Sequence, residues 1–147
     1  MKILILGTGV IGTIYGQVLS ANNEVIHYVR ADRYAEKNNT AILYDYIDER
    51  RNKNDQMVKG SYQYSCVTTA DDSYDLIIFP VKTFQLLAAL KELAEQAPKA
   101  KYLIFTLDWN RMEQVDQILS RDQYIVGYAG GGGTFKGDTL WGNVGKD

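Results

Sequence analysis

The chain opens on a short apolar run, Lys2 to Leu6, that passes without a break into Gly7-Thr8-Gly9-Val10-Ile11-Gly12. This is G-x-G-x-x-G at the point where a strand turns into a helix, as a dinucleotide-binding βαβ unit requires. Each glycine answers a separate demand. Gly7 lets the chain turn tightly, Gly9 lets backbone approach a pyrophosphate, and Gly12 lets helix and strand pack closely. The following helix then aims free N–H groups and the positive end of its dipole at phosphate. Glycines also mark ordinary turns, so the surroundings decide. Ile11, Tyr15, Val18 and Leu19 recur at helical spacing, Asn22-Asn23 supply a stop, and Glu24 to Val29 reads as a second strand.

At the end of that second strand a site for an unphosphorylated ribose would place an acid, whereas this chain has Val29-Arg30-Ala31-Asp32-Arg33. A guanidinium takes a 2′-phosphate bidentately and an acid repels one, so Arg30 argues for NADP over NAD, with Arg33 as a helper and Asp32 as a counterweight. The competing reading is a solvated arginine that opens a short helix, Ala31 to Asn38.

With 147 residues, 46% of them apolar and 23% charged, the chain suits one domain with a real core and leaves no room for a second complete one. A net charge of −2 without a long basic run gives no reason to expect nucleic acid or an anionic membrane. The longest apolar runs are strand-sized and the N-terminus enters a strand directly, so the expected location is the cytoplasm. One cysteine, Cys66, and one histidine, His27, share no metal-binding spacing; both read first as buried residues.

Further along, Thr40 to Ile47 reads as a strand with Ile42, Tyr44 and Tyr46 on one face. Asp48 to Asp55 reads as a solvated loop without an apolar anchor, and Tyr62, Tyr64 and Cys66 alternate with polar residues as in a half-exposed strand. Those tyrosines either stack on a base or, more commonly, form a wall of packed rings. Leu76 to Phe79 is a buried strand followed by Pro80-Val81-Lys82-Thr83. Ligands of parallel sheets bind at that edge, so Lys82 either reaches a phosphate or ribose or simply closes a strand in solvent. Phe84, Leu87, Leu90, Leu93 and Ala97 mark an amphipathic helix. Tyr102 to Leu107 is a strand, Met112 to Leu119 a helix, and Tyr124 to Ala129 a further strand. Strands alternating with helices predict an α/β fold: a Rossmann-type, doubly wound sheet of six parallel strands with a small antiparallel excursion between Thr40 and Thr69. The tail holds Gly130 to Gly133, either a flexible linker or a place of close approach to a ligand, and Thr134 to Trp141 as a hairpin about Gly137-Asp138.

Taken together, Lys2 to Gly12, the Val29-Arg30 strand end, the segment Val81-Lys82-Thr83-Phe84-Gln85-Leu86, and Val126-Gly127 with its small-residue run resemble the N-terminal cofactor domain of the ketopantoate reductase family. Those enzymes reduce 2-dehydropantoate to pantoate with NADPH in pantothenate biosynthesis. The resemblance spans nearly the whole chain. It implies that Gly7, Thr8, Gly9, Val10, Ile11 and Gly12 bind the pyrophosphate, that Arg30 takes the 2′-phosphate, that Lys82 contacts the cofactor, and that Gly133 lies by the nicotinamide half. Two departures stand out. Where the family has an Asn-Gly pair after its fifth strand, this chain has Leu107-Asp108, with Asn110 close by. The family's helical C-terminal domain, which holds its catalytic lysine, lies beyond residue 147, so no catalytic residue is assigned and turnover by these residues alone is not expected.

The expectation is therefore an NADP(H)-binding domain of a 2-keto acid reductase. A non-catalytic nucleotide-sensing module, like the domains that gate potassium transport, is the alternative; an acid at the second strand end would suit it better than Arg30. A scaffold that binds nothing is a third reading. Strand edges and the tail hairpin leave room for a homodimer.

Overall fold

Apolar residues with no charge after Lys2 make β1 (Lys2–Leu6) a strand buried through its centre; Leu4 and Ile5 are wholly buried. The computed structural model describes residues 1–106 and 108–146. After β1 come α1 (Val10–Leu19), β2 (Glu24–Tyr28), α2 (Ala31–Lys37), β3 (Ala41–Asp48), β4 (Met57–Gln63), β5 (Cys66–Val67) and β6 (Leu76–Phe79). The chain continues through α3 (Thr83–Gln96), β7 (Lys101–Phe105), α4 (Met112–Asp116), β8 (Tyr124–Gly127), β9 (Gly131–Lys136) and β10 (Thr139–Val144).

Six strands form one parallel sheet in the order β5-β2-β1-β6-β7-β8. The order reverses between β1 and β6, which is the switch point where doubly wound sheets open a crevice at their carboxyl ends. Side chains of β1 alternate between the two faces. Leu4 packs with Ile77, Phe79, Leu86, Leu90 and Leu93 on the side of α3, while Ile3 and Ile5 meet Ile78, Tyr15 and Leu19 on the side of α1. Both faces are covered, and each fully buried leucine contributes about 1.5–3 kcal/mol.

The excursion and the tail do not stand apart as two hairpins. They join into a second, mixed sheet, β4-β3-β10-β9, because β10 pairs with β3 in parallel over Thr139–Val144. Its inner face, with Ile42, Tyr46, Val58, Tyr62, Leu140 and Val144, closes on Ile14 of α1. The tail hairpin is longer than expected and starts inside the glycine run, at Gly131. Gly137, with φ +63°, forms its turn.

Four other expectations change. The stretch 61–66 is not one strand: β4 leaves β3 at Gln63, and Cys66 pairs with His27 in the parallel sheet. In α3 the buried stripe is Leu86, Leu90 and Leu93, continued by the capping residue Ala97, whereas Phe84 is 72% exposed. The expected helix Met112 to Leu119 is a five-residue α4 after a 3-10 turn at Trp109–Arg111. Asp48, expected in solvent, is buried, because two guanidiniums close over it: Arg50 donates to both carboxylate oxygens at 2.8 and 2.9 Å, and Arg51 lies at 3.5 Å.

Candidate cofactor-binding site

A cleft of about 640 Å³ opens at the carboxyl ends of β1, β2 and β6. Its floor begins at Leu6, Gly7 and Thr8. One wall is Arg30, Arg33 and Lys37, and the other is the face of α3 that presents Phe84, Gln85, Ala88 and Glu92.

The three loop glycines are needed for different reasons. Gly7 adopts φ +85°, which side chains rarely tolerate. A Cβ on Gly12 would meet the Gly7 carbonyl at 3.1 Å, Ile5 at 3.3 Å and Pro80 at 3.4 Å, so Gly12 lets α1 lie on β1 and β6. A Cβ on Gly9 would meet nothing within 4 Å. The protein's own packing makes no demand at Gly9, and the open space above it suits a ligand. Gly9 is the N-cap of α1; no side chain caps that end and no acid stands in the first turn. The N–H groups there are available to an anion.

Cations converge on the opposite end of the cleft. The Arg30 side chain is 76% exposed, with Asp32 at 3.3 Å as its ion-pair partner. Arg33 and Lys37 share Glu36, at 2.7 and 2.9 Å. Lys37 did not emerge from the sequence, although it stands one helical turn after Arg33 and therefore on the same face of α2. Glu92 was also missed; it stands in the row Phe84, Ala88, Glu92 beside the buried stripe of α3. These groups fit a phosphate-bearing dinucleotide: open backbone N–H groups at the glycine loop and a cluster of three cations at the end of β2.

The remaining expected residues are not among those that line this cleft. Val10 and Ile11 form the first turn of α1, and Lys82 is the exposed N-cap of α3, next to the cleft residue Val81. Gly133 stands in β9 opposite Gly142, where a Cβ would come within 2.1 Å of the Trp141 carbonyl, so strand pairing by itself requires glycine there. Leu107 lies outside the described residues. Asp108 accepts a hydrogen bond from Arg111 Nε at 2.8 Å, and Asn110 is exposed in the 3-10 turn.

Behind the loop lies a buried polar group. His27, with no exposed surface, donates from Nδ1 to the Gly7 carbonyl at 2.8 Å and accepts from the Tyr62 hydroxyl at Nε2, 2.9 Å away. The carbonyl can only accept, which sets the tautomer. Thr13 Oγ1 shares a 2.6 Å hydrogen bond with the Tyr64 hydroxyl and donates to the Thr8 carbonyl at 3.4 Å. Burial holds the imidazole below its ordinary pKa, against a smaller upward pull from the Gly7 carbonyl, and burial likewise pushes both tyrosine hydroxyls up. The tyrosines are thus a wall of packed rings.

The strand order and the glycine loop at its switch point define a Rossmann-type domain. The family model described as ketopantoate reductase PanE/ApbA matches residues 3–141, and the chain belongs to that family. No curated protein matches it in sequence. Among solved structures it is similar to a 2-dehydropantoate 2-reductase from Geobacter metallireducens, at 17% identity and TM-score 0.71, covering 97% of this chain and 46% of the other. It is also similar to D-mandelate dehydrogenase in its ternary structure with NADH and anilino(oxo)acetate, at 17% identity and TM-score 0.72, covering 96% and 45%. A dimeric ketopantoate reductase from Staphylococcus aureus gives 18% identity and TM-score 0.59, covering 97% and 48%. The chain therefore spans less than half the length of each of these proteins. Among the described residues no helix is long and apolar enough to cross a membrane.

Proposed function

We propose that this chain is the NADP(H)-binding domain of a ketopantoate reductase-like oxidoreductase, one that reduces a 2-keto acid such as 2-dehydropantoate. The observation that carries this reading is the exposed Arg30 at the end of β2, on the rim of a cleft whose other end is the Gly7-Thr8 turn. In this reading the backbone of Gly7, Thr8, Gly9, Val10, Ile11 and Gly12 receives the pyrophosphate. Arg30 takes the 2′-phosphate, with Arg33 and Lys37 adding positive charge beside it. Lys82 reaches the cofactor from the start of α3, and Gly133 lies toward the nicotinamide half.

Bound NADPH would supply the hydride. Reduction of a keto acid also needs a proton donor for the forming alkoxide and a cation for the carboxylate, and we assign neither to the described residues. Turnover of ketopantoate by the 147 residues alone is accordingly not expected. The same reading places the protein in the cytoplasm, in pantothenate biosynthesis, and allows a homodimer.

Calorimetric titration with NADPH and with NADH, repeated on Arg30→Ala, tests the reading. NADPH should bind more tightly than NADH, and the variant should lose about 10–100-fold in NADPH affinity while its NADH affinity changes little, as expected for a charge-assisted pair. Equal or absent binding of both nucleotides would defeat it.

A further inference from the structure

The only histidine of the chain is buried, touches no solvent, and is spent on one carbonyl of the glycine loop. Three further observations suggest that this is a device for aiming the loop. First, the loop is tied at two successive carbonyls: Gly7 through His27, and Thr8 through Thr13. Second, both ties end on tyrosines at or just beyond the end of β4 in the second sheet, Tyr62 for His27 and Tyr64 for Thr13. The imidazole is held edge-on between the two rings, with centroids 5.8 and 5.0 Å away. Third, α1 is cut away to admit the pair: a Cβ on Gly16 would lie 2.7 Å from both His27 Nε2 and the Tyr62 hydroxyl.

Peptide planarity turns these ties into a statement about the opposite side of the loop. In a trans peptide the C=O of one residue and the N–H of the next point in opposite directions. Holding the Gly7 carbonyl inward turns the Thr8 N–H outward, and holding the Thr8 carbonyl inward does the same for the Gly9 N–H. Thr8 lines the cleft and Gly9 is exposed. We propose that His27, Tyr62, Tyr64 and Thr13 are positioning residues that fix the Gly7–Thr8 and Thr8–Gly9 peptide planes, so that two N–H groups are aimed into the cleft. That these groups receive a phosphate rests on the cofactor reading above; the orientation itself does not. The excursion between β3 and β5 thereby becomes part of the loop's foundation.

Two substitutions separate the tether from mere filling of the core. Asparagine places an N–H donor near the Nδ1 position, and glutamine near Nε2. His27→Asn therefore keeps the hydrogen bond to Gly7, and His27→Gln keeps only the contact with Tyr62. In ligand-free protein, dipolar couplings of the Thr8 and Gly9 N–H vectors should match the wild type in His27→Asn and be averaged in His27→Gln. NADPH affinity should fall about tenfold in His27→Gln and less than about threefold in His27→Asn, the scale of one lost hydrogen bond. Ring-nitrogen chemical shifts of the unmodified protein, which need no variant to fold, should report a neutral ring protonated at Nδ1. An Nε2-protonated ring, or couplings in His27→Gln that match the wild type, would overturn the proposal. If the unmodified protein bound no NADPH, the cofactor reading would fail, and the couplings and the tautomer would still decide whether the tether exists.

Discussion

The Tyr28 hydroxyl donates a hydrogen bond to the Glu92 carboxylate across the cleft, joining the end of β2 to the middle of α3, 64 residues further along the chain. Burial, and then this bond, push the Tyr28 hydroxyl above its ordinary pKa. Tyr28→Phe should cost about 1 kcal/mol of stability in urea unfolding, and Glu92→Gln, which keeps an acceptor, less. Glu92 also places a negative charge in a cleft read as a site for a polyanion. On that reading Glu92→Gln should bind NADPH about 2–3-fold more tightly, a modest gain because the carboxylate is solvated. Weaker binding by this variant would mean that Glu92 helps hold the ligand rather than repelling it.

Gly9 and Gly12 should separate cleanly on substitution by alanine. At Gly12 the added methyl would press on the Gly7 carbonyl, Ile5 and Pro80, and the expected loss is about 1–3 kcal/mol, read in thermal or urea unfolding. At Gly9 the backbone is extended with φ −74°, and the methyl meets nothing, so stability should change by less than about 0.5 kcal/mol. NADPH affinity should nonetheless drop in Gly9→Ala, because the methyl occupies the space a pyrophosphate would use. A Gly9→Ala protein with unchanged affinity would remove the loop from the binding site.

His27 sets a window of pH dependence. Its folded pKa lies below that of the unfolded chain, so between the two values the unfolded state binds a proton that the folded state does not. Stability should be constant above roughly pH 6.5 and fall by about 1.4 kcal/mol per pH unit as pH drops below that value, until the folded pKa is reached. The titratable groups that face the ring, Tyr62, Tyr64 and Cys66, are all pushed upward and do not titrate in this range. In His27→Asn the slope between pH 6.5 and the onset of carboxylate titration should vanish; its persistence would assign the effect to another group.

Asp48 acts at lower pH. The hydrogen bond from the Arg50 side chain is the largest of the effects that hold its carboxyl below the usual range, and burial opposes them. Its contribution is complete above the unfolded carboxylate pKa of about 3.9 and is lost as pH falls through the lower folded value. Asp48→Asn should cost about 1–3 kcal/mol at neutral pH by leaving Arg50 and Arg51 without their shared partner, and should flatten the acid limb of the stability curve.

Lys2 to Val29 was legible because local rules suffice there: an apolar run, a glycine turn and a 3.6-residue period describe a βαβ unit without reference to anything distant. The same holds for the buried strand Leu76 to Phe79, for the strand read as Tyr102 to Leu107 and found as Lys101–Phe105 with Leu107 outside the described residues, and for the strand-end position of Arg30. Lys37 was legible in principle, one turn after Arg33, but its meaning depends on α2 facing the cleft. The face of α3 was misjudged because Phe84 continues the apolar period while turning to the cleft instead of the core.

The sequence by itself determined the parallel α/β class, the glycine loop and the cationic strand end, because each follows from residues a few positions apart. Only the tertiary structure decided that the excursion and the tail share one sheet, that Gly133 is required by Trp141, and that His27 anchors Gly7 while Tyr62 secures its ring. Those relations join residues from 8 to about 100 positions apart. Their energies come from burial, pairing and satisfied hydrogen bonds that exist only once the chain has closed on itself.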